Sequence, residues 1–319
     1  MAAPPDERDA SIDVLRGLAI VTMIAANMAP YTLEEPHPLA FRIYGSFAAP
    51  TFVFLAGMMV GRSGPAVLGH SFRRAGELYA VAAAIDLLCW RMTPFMSFDV
   101  LYLIGLALPV CAACLSLPVR FHAALAVLVV LATPLVHSGL GYGPLLPDDA
   151  PWPAWRRIVV DGWFPVFPWL GVALLGAVAS RLRRAIPSRV QTLTGVLLVL
   201  VGLVGLLLRP PNLVTRGGYS ELFYPPTIRF LCVALGIVVL LLQWIPRLRA
   251  RVPLGWLETY GRSSLFLYVA HTAVIAFVLD TFFERQPFPG FLALYFAHAA
   301  VMWGLAWLWI RALRATRST

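Results

Sequence analysis

Apolar runs of roughly the length needed to cross a bilayer recur along this chain, separated by short breaks rich in Arg, Pro and Gly. Ten of them are predicted as helices, at residues 12–33, 40–61, 72–92, 97–117, 121–137, 162–180, 190–208, 227–245, 259–282 and 291–311. No stretch alternates apolar and polar positions as a barrel strand does. The pattern therefore predicts an all-α, polytopic membrane bundle, a single domain over residues 1–319. Composition agrees. Hydrophobic residues make up 60% of the chain and charged ones 13%, against about 25% charged in a soluble domain.

The first run is not uniformly apolar. Within SIDVLRGLAIVTMIAAN stand Asp13, Arg16 and Asn27, and His37 follows in the next polar connection. Charges and amides inside a membrane-length helix are costly and usually serve a function. Arg16 and Asn27 are eleven positions apart, which puts them on one face, ~16 Å apart along the axis. A polar face that runs most of the way through a bilayer suggests chemistry on a molecule threaded through it.

Arginine sets the expected orientation, because the chain contains no lysine. With the N-terminus in the cytoplasm, fifteen arginines flank the inner connections and six the outer ones. That is a positive-inside bias, and it predicts that both termini are cytoplasmic. The net charge of +9 is then explained by basic ends facing anionic headgroups. Nucleic acid is not an expected partner. The acidic flank Asp6, Glu7, Asp9 and Asp13 is unlike the basic start of a cleaved signal peptide. The C-x-x-C of Cys111 and Cys114 lies on an apolar helix without nearby histidines, so packing is expected and no metal. The outer connections at 138–161 and 209–226 carry Trp152, Trp155, Asp148, Asp149, Tyr219, Glu221, Phe223 and Tyr224. Rings and carboxylates around a mouth suit a sugar or another polyol, and an aromatic interface belt is the alternative.

The run from Ser11 to Asn27, then His37, then SFAAPTFVFLAGMMVG resembles the catalytic segment of the heparan-α-glucosaminide N-acetyltransferase family. The matching positions are Arg16–Gly17, Asn27, His37 and Pro50 through Gly57. Weaker similarity continues in FDVLYLIGLAL (98–108), WFPVFPWLGVALLGAVAS (163–180) and YGRSSLFLYVAH (260–271). The connection MAPYTLEEP carries no family signature. The related acyltransferase-3 family would place a histidine where Asn27 stands, which puts the weight on His37.

The resemblance implies ten or eleven helices around a central pocket, with an acetyl group moving from cytosolic acetyl-CoA, or another acyl-CoA, to an acceptor on the far side. His37 is implied as general base or transient acyl carrier, and Asn27 as the donor that steadies the developing oxyanion. Arg16 is implied at the entry of the CoA phosphates, with Arg73, Arg74, Arg181, Arg183 and Arg184 as further candidates for the diphosphate. Arg42, Asp99, Asp161 and Arg229, together with Asp86, are expected to converge on an outward acceptor pocket. His271 shares a stripe with Ser264 and Tyr268, lining the tunnel or bridging helices. Glu258 and Arg262 are spaced as a local ion pair.

The reading is a bacterial inner-membrane acyltransferase, multi-pass, acting on a hydroxyl or amine of a sugar or envelope acceptor. Its expected partners are the bilayer and a glycan, with homodimer formation left open. A secondary transporter or flippase is the rival from another class, since it too would use intramembrane charges at a midplane site. A non-catalytic assembly protein is a third possibility, and it predicts that His37 is dispensable.

Overall fold

The protein is described by a computed structural model covering residues 9–143, 154–213 and 215–316. The loop residues Asp148, Asp149 and Trp152 and the acidic Asp6 and Glu7 fall outside the described residues.

Helix α1 (Ala10–Thr32) is the axis of the bundle. Its apolar window is 78% buried, and it packs against α3 (Ala48–Ser63), α10 (Ile228–Arg249), α11 (Gly255–Arg262), α12 (Ser264–Val274) and α14 (Phe288–Ala315). Asp9 caps it, accepting from the Ser11 amide at 3.0 Å. The same carboxylate receives Arg62 from α3 at 3.3 Å and Arg183, just past α8 (Val166–Leu182), at 3.0 Å. One residue thus ties three helix ends together.

The remaining helices surround this axis. They are α2 (Leu39–Gly45), α4 (Leu68–Ile85), α5 (Val100–Cys114), α6 (Val119–Leu140), α7 (Ala154–Arg156), α9 (Ser188–Leu208) and α13 (Asp280–Phe282). Helix α4 runs on through a π-helical turn at Asp86–Trp90. Helix α3 packs on α8 and α8 on α6, while α9 lies on α10 at the periphery, only 11% of its apolar window buried.

Close helix crossings explain why several small residues stand where they do. A Cβ at Gly17 would meet the Leu257 carbonyl oxygen at 2.0 Å, and one at Gly261 would meet that of Asp13 at 1.9 Å. The α3–α8 crossing is reciprocal in the same way: Gly57 lies on Ala173, and Gly176 on Phe54. Where lipid removes the hydrophobic drive between helices, such backbone-to-backbone approach supplies the packing.

All ten predicted segments are helical in the structure. Among the described residues, however, seven helices are long and apolar enough to cross a membrane. An eighth results if Ala154–Asp161 and Val166–Leu182, bent by 59°, are taken as one span. The other two segments fall short for physical reasons. Helix α4 carries Arg73, Arg74 and Glu77, and α5 has only 15 residues. The expected Asp13–Arg16 and Glu258–Arg262 pairs are present at 3.4 and 3.2 Å, and Arg262 also reaches Asp13 at 3.6 Å.

Candidate functional site

The last turns of α1 border a cavity of about 490 Å³. Asn27 and Tyr31 of α1, Asp99 at the start of α5, Tyr268 and Thr272 of α12, and Glu221 of the 209–227 connection are on its wall. Aromatic rings form much of the remainder: Tyr31 stacks on Trp90 at 6.3 Å, and Trp163 meets Tyr219 edge-on at 4.8 Å. Arg216 is buried behind Trp163, 4.6 Å from the ring centroid, and donates to the Asp161 and Gly162 carbonyls at 2.5 and 2.9 Å. That cation fixes the aromatic connection onto the turn before α8.

A second cavity, of about 390 Å³, opens along the opposite half of the same helices. Arg16 and Ile20 of α1, Ala56 to Ser63 of α3, and His70 and Arg74 of the α4 start border it. Phe52, Val100 and Tyr268 belong to the walls of both cavities. Three side chains therefore separate a basic cavity at one end of α1 from an acidic, aromatic one at the other.

Two hydrogen-bonded pairs set the polar geometry at this junction. Asn27 Nδ2 lies 3.0 Å from His271 Nε2, while His271 Nδ1 lies 2.9 Å from the Leu267 carbonyl oxygen. A carbonyl can only accept, so the imidazole donates from Nδ1 and receives the Asn27 amide at Nε2. Asn27, on the cavity wall, keeps a second N–H and its carbonyl oxygen for other partners. Tyr268 donates to Asp99, whose other oxygen caps α5 by accepting from the Val100 amide at 2.5 Å.

The structure sorts the residues singled out from sequence. Asn27 and Asp99 are on the wall of the first cavity, and Arg16 and Arg74 on that of the second. His271 is fully buried and acts on Asn27 rather than lining the space. His37 is buried in the loop after α1, its ring edge-on to Phe41 at 5.8 Å and its Nδ1 without a hydrogen-bond partner. Burial holds its pKa below the usual histidine value, so the ring is neutral at pH 7. It is not among the residues bordering either cavity.

Of the charges expected to converge on one pocket, Asp99 borders the first cavity, while Arg42, Asp86, Asp161 and Arg229 border neither. Asp161 is paired with Arg156 at 3.1 Å, and Asp86 receives the Tyr102 hydroxyl at 2.8 Å. Arg229 donates to the Gly205 and Arg209 carbonyls, closing the C-terminal end of α9, where exposed carbonyls attract a cation. Arg42 does lie beside His37: its Nε donates to the His37 carbonyl at 3.2 Å and its Nη1 to that of Ser220 at 3.4 Å. It binds one loop to another. Of the remaining cationic candidates, Arg181 reaches the Leu117 carbonyl at 3.1 Å, Arg183 is held by Asp9, and Arg73 and Arg184 are exposed.

Of three further wall residues, Thr272 was not singled out from sequence, Tyr268 only as part of the His271 stripe, and Glu221 only as one of the carboxylates of the outer connections. Tyr268 and Thr272 follow Ser264 at i+4 and i+8, a polar stripe that could have marked them as a pair. Glu221 lies in an irregular connection, and only the folded chain brings it to α1.

A profile of the heparan-alpha-glucosaminide N-acetyltransferase catalytic domain matches residues 8–206. Among curated proteins, none matches significantly. The profile takes in Arg16, Asn27, His37 and Asp99 and ends before Glu221, Tyr268 and His271. The chain belongs to the heparan-alpha-glucosaminide N-acetyltransferase family, a family of membrane acetyltransferases.

Proposed function

We propose that this family member takes an acetyl or short acyl group from acyl-CoA at its cytoplasmic side and delivers it to a hydroxyl or amine of a sugar or envelope acceptor outside. In this reading the chain crosses a bacterial inner membrane about ten times, with both termini cytoplasmic. Helix α4 is then counted as a span together with its π-helical extension to Trp90, and the short α5 because most of its residues are buried. One observation carries the proposal: two cavities at opposite ends of α1 share the three wall residues Phe52, Val100 and Tyr268. An acyl group on a flexible thiol arm needs to pass only that constriction, while CoA and acceptor stay on their own sides.

Arg16 and Arg74 at the mouth of the basic cavity suit the CoA phosphates. Asn27 suits the thioester carbonyl, since a fixed amide donor stabilises the oxyanion as it forms. His37 borders neither cavity and enters this reading only by its position in the family motif. The free energy of thioester hydrolysis drives the transfer, so no ion gradient is needed. The same pair of cavities would also serve a transporter of a small polar substrate, which has no reason to bind a CoA ester.

Thermal unfolding of the detergent-purified protein with acetyl-CoA separates the two. Saturable stabilisation of ~2–3 kcal/mol at a hundredfold excess over Kd is expected. Single-turnover release of CoA should then be lost in His37→Ala and reduced in Asn27→Ala. No stabilisation by CoA esters of any chain length would put transport first.

A further inference from the structure

Among the described residues of the acceptor cavity, Glu221 is the buried carboxyl group with an unpartnered oxygen. Glu221 is only 6% exposed yet borders the cavity, and its Oε2 has no hydrogen-bond partner. A buried polar atom left unpaired is costly and calls for an explanation. Ser97 Oγ is the other buried wall atom without a partner, a hydroxyl that is no base at neutral pH, and the remaining carboxyl and amide groups are engaged or exposed. Asp99 is held by Tyr268 and the Val100 amide, Asn27 is held by His271, and Asp280 is exposed.

Glu221 also stands close to the reacting end of α1. A Cβ at Gly45 would lie 3.1 Å from Ala26 Cβ and 3.9 Å from Glu221 Cγ. Glycine at that position lets α2 approach α1 one residue before Asn27, and the Glu221 side chain lies in van der Waals reach of the same point. From this geometry we infer that Glu221 is the general base of the acceptor site, taking the proton from the attacking amine or hydroxyl.

The inference rests on the acyltransfer reading. In the step, the acceptor nitrogen or oxygen attacks the acyl carbon. The new C–N or C–O bond forms as the C–S bond breaks, and the electron pair departs on the CoA sulfur. The acceptor's proton passes to Glu221 Oε2 and from there to external water, while the thiolate is protonated from the cytoplasmic side.

The electrostatics suit that task. Burial raises the Glu221 pKa to about 7, opposed by the backbone amides of Glu221 and Ser220 and by the Arg42 guanidinium. Tyr219 and Tyr224, the titratable groups that face it from its own connection, have pKa values raised well above 10 and stay neutral. Arg42 is the cation facing it from α2. A base is most effective with a pKa near the working pH.

The test follows CoA release from acetyl-CoA by wild type and Glu221→Gln in detergent or vesicles, with glucosamine, hydroxylamine or water as the nucleophile. The expected result is a rate with glucosamine that rises through pH 7 in wild type. In Glu221→Gln it falls about a hundredfold and keeps only the rise that follows the glucosamine amine's own titration, while hydroxylamine, a weak base already neutral, is largely spared. Equal rates for the two proteins, with the same pH profile, would overturn the role of Glu221 and leave the acyltransfer reading standing. Acetyl-CoA bound without CoA release to any of the three nucleophiles would overturn the placing of a base in this cavity. Wild type that neither binds nor turns over acetyl-CoA would sink the reading itself, and this inference with it.

Discussion

At the scale of single residues, the junction works through side chains whose partners limit what they can do. His271 has both nitrogens committed, so its effect on chemistry passes through Asn27. Asn27→Ala should lower kcat by ~100- to 1,000-fold, the usual cost of one oxyanion donor. His271→Ala should lower kcat by a smaller factor and leave acetyl-CoA affinity unchanged, because the amide remains but is no longer held. Stopped-flow CoA release with a parallel binding isotherm separates these effects. Equal loss of binding in His271→Ala would mean that it supports the fold rather than Asn27.

Glu221 makes a prediction about stability as well as rate. Its folded pKa of about 7 lies above the ordinary 4.5, so the folded state holds the proton more tightly. The stabilisation is complete below about pH 4.5 and is lost as pH rises through 7. Unfolding midpoints measured from pH 5 to 8 should fall more steeply in wild type than in Glu221→Gln. Asn27 was legible in the sequence because an amide inside an apolar helix is conspicuous. Glu221 was legible only as one of several rings and carboxylates around a mouth, because a carboxylate in a loop looks solvated until the fold places it.

At the scale of elements, what the sequence made plain and what it hid have different causes. The helices followed from the length and spacing of the apolar runs, and their ends from Arg, Pro and Gly. How deep each helix lies did not follow, because α1 and α9 are both apolar yet sit at the axis and the rim. Small residues allow close crossing in both, α1 against several helices and α9 against α10 alone through Gly195 and Gly202, and the contribution of such crossings can be measured. In Gly57→Ala the new methyl would meet the Ala173 carbonyl oxygen at 1.8 Å, so α3 and α8 must part. A loss of ~1–3 kcal/mol is expected, as for overpacking elsewhere. Gly76→Ala in α4 has nothing within 4 Å and should instead gain up to ~1 kcal/mol from helix propensity. Unfolding of both variants in the same detergent gives the comparison, and equal behaviour would remove close crossing as the organising feature.

For the whole molecule, the constriction between the two cavities decides whether they form one path. Phe52, Val100 and Tyr268 come from α3, α5 and α12, so the barrier depends on three helices that are far apart in sequence. If the acyl group passes there, filling the gap should block transfer without touching the CoA site. Val100→Phe adds bulk at the constriction and leaves Arg16 and Arg74 in place. It should keep the stabilisation by acetyl-CoA while CoA release to an acceptor falls about a hundredfold, since a misplacement of ~1 Å can cost that much. Phe52→Ala should act the other way, retaining acetyl transfer and admitting a longer chain such as butyryl. The retained thermal shift shows that each variant is folded and loaded, so the rates report on the passage alone. Undiminished transfer by Val100→Phe would mean that the acyl group travels by another route, and that Asn27 and Arg16 do not serve a single path.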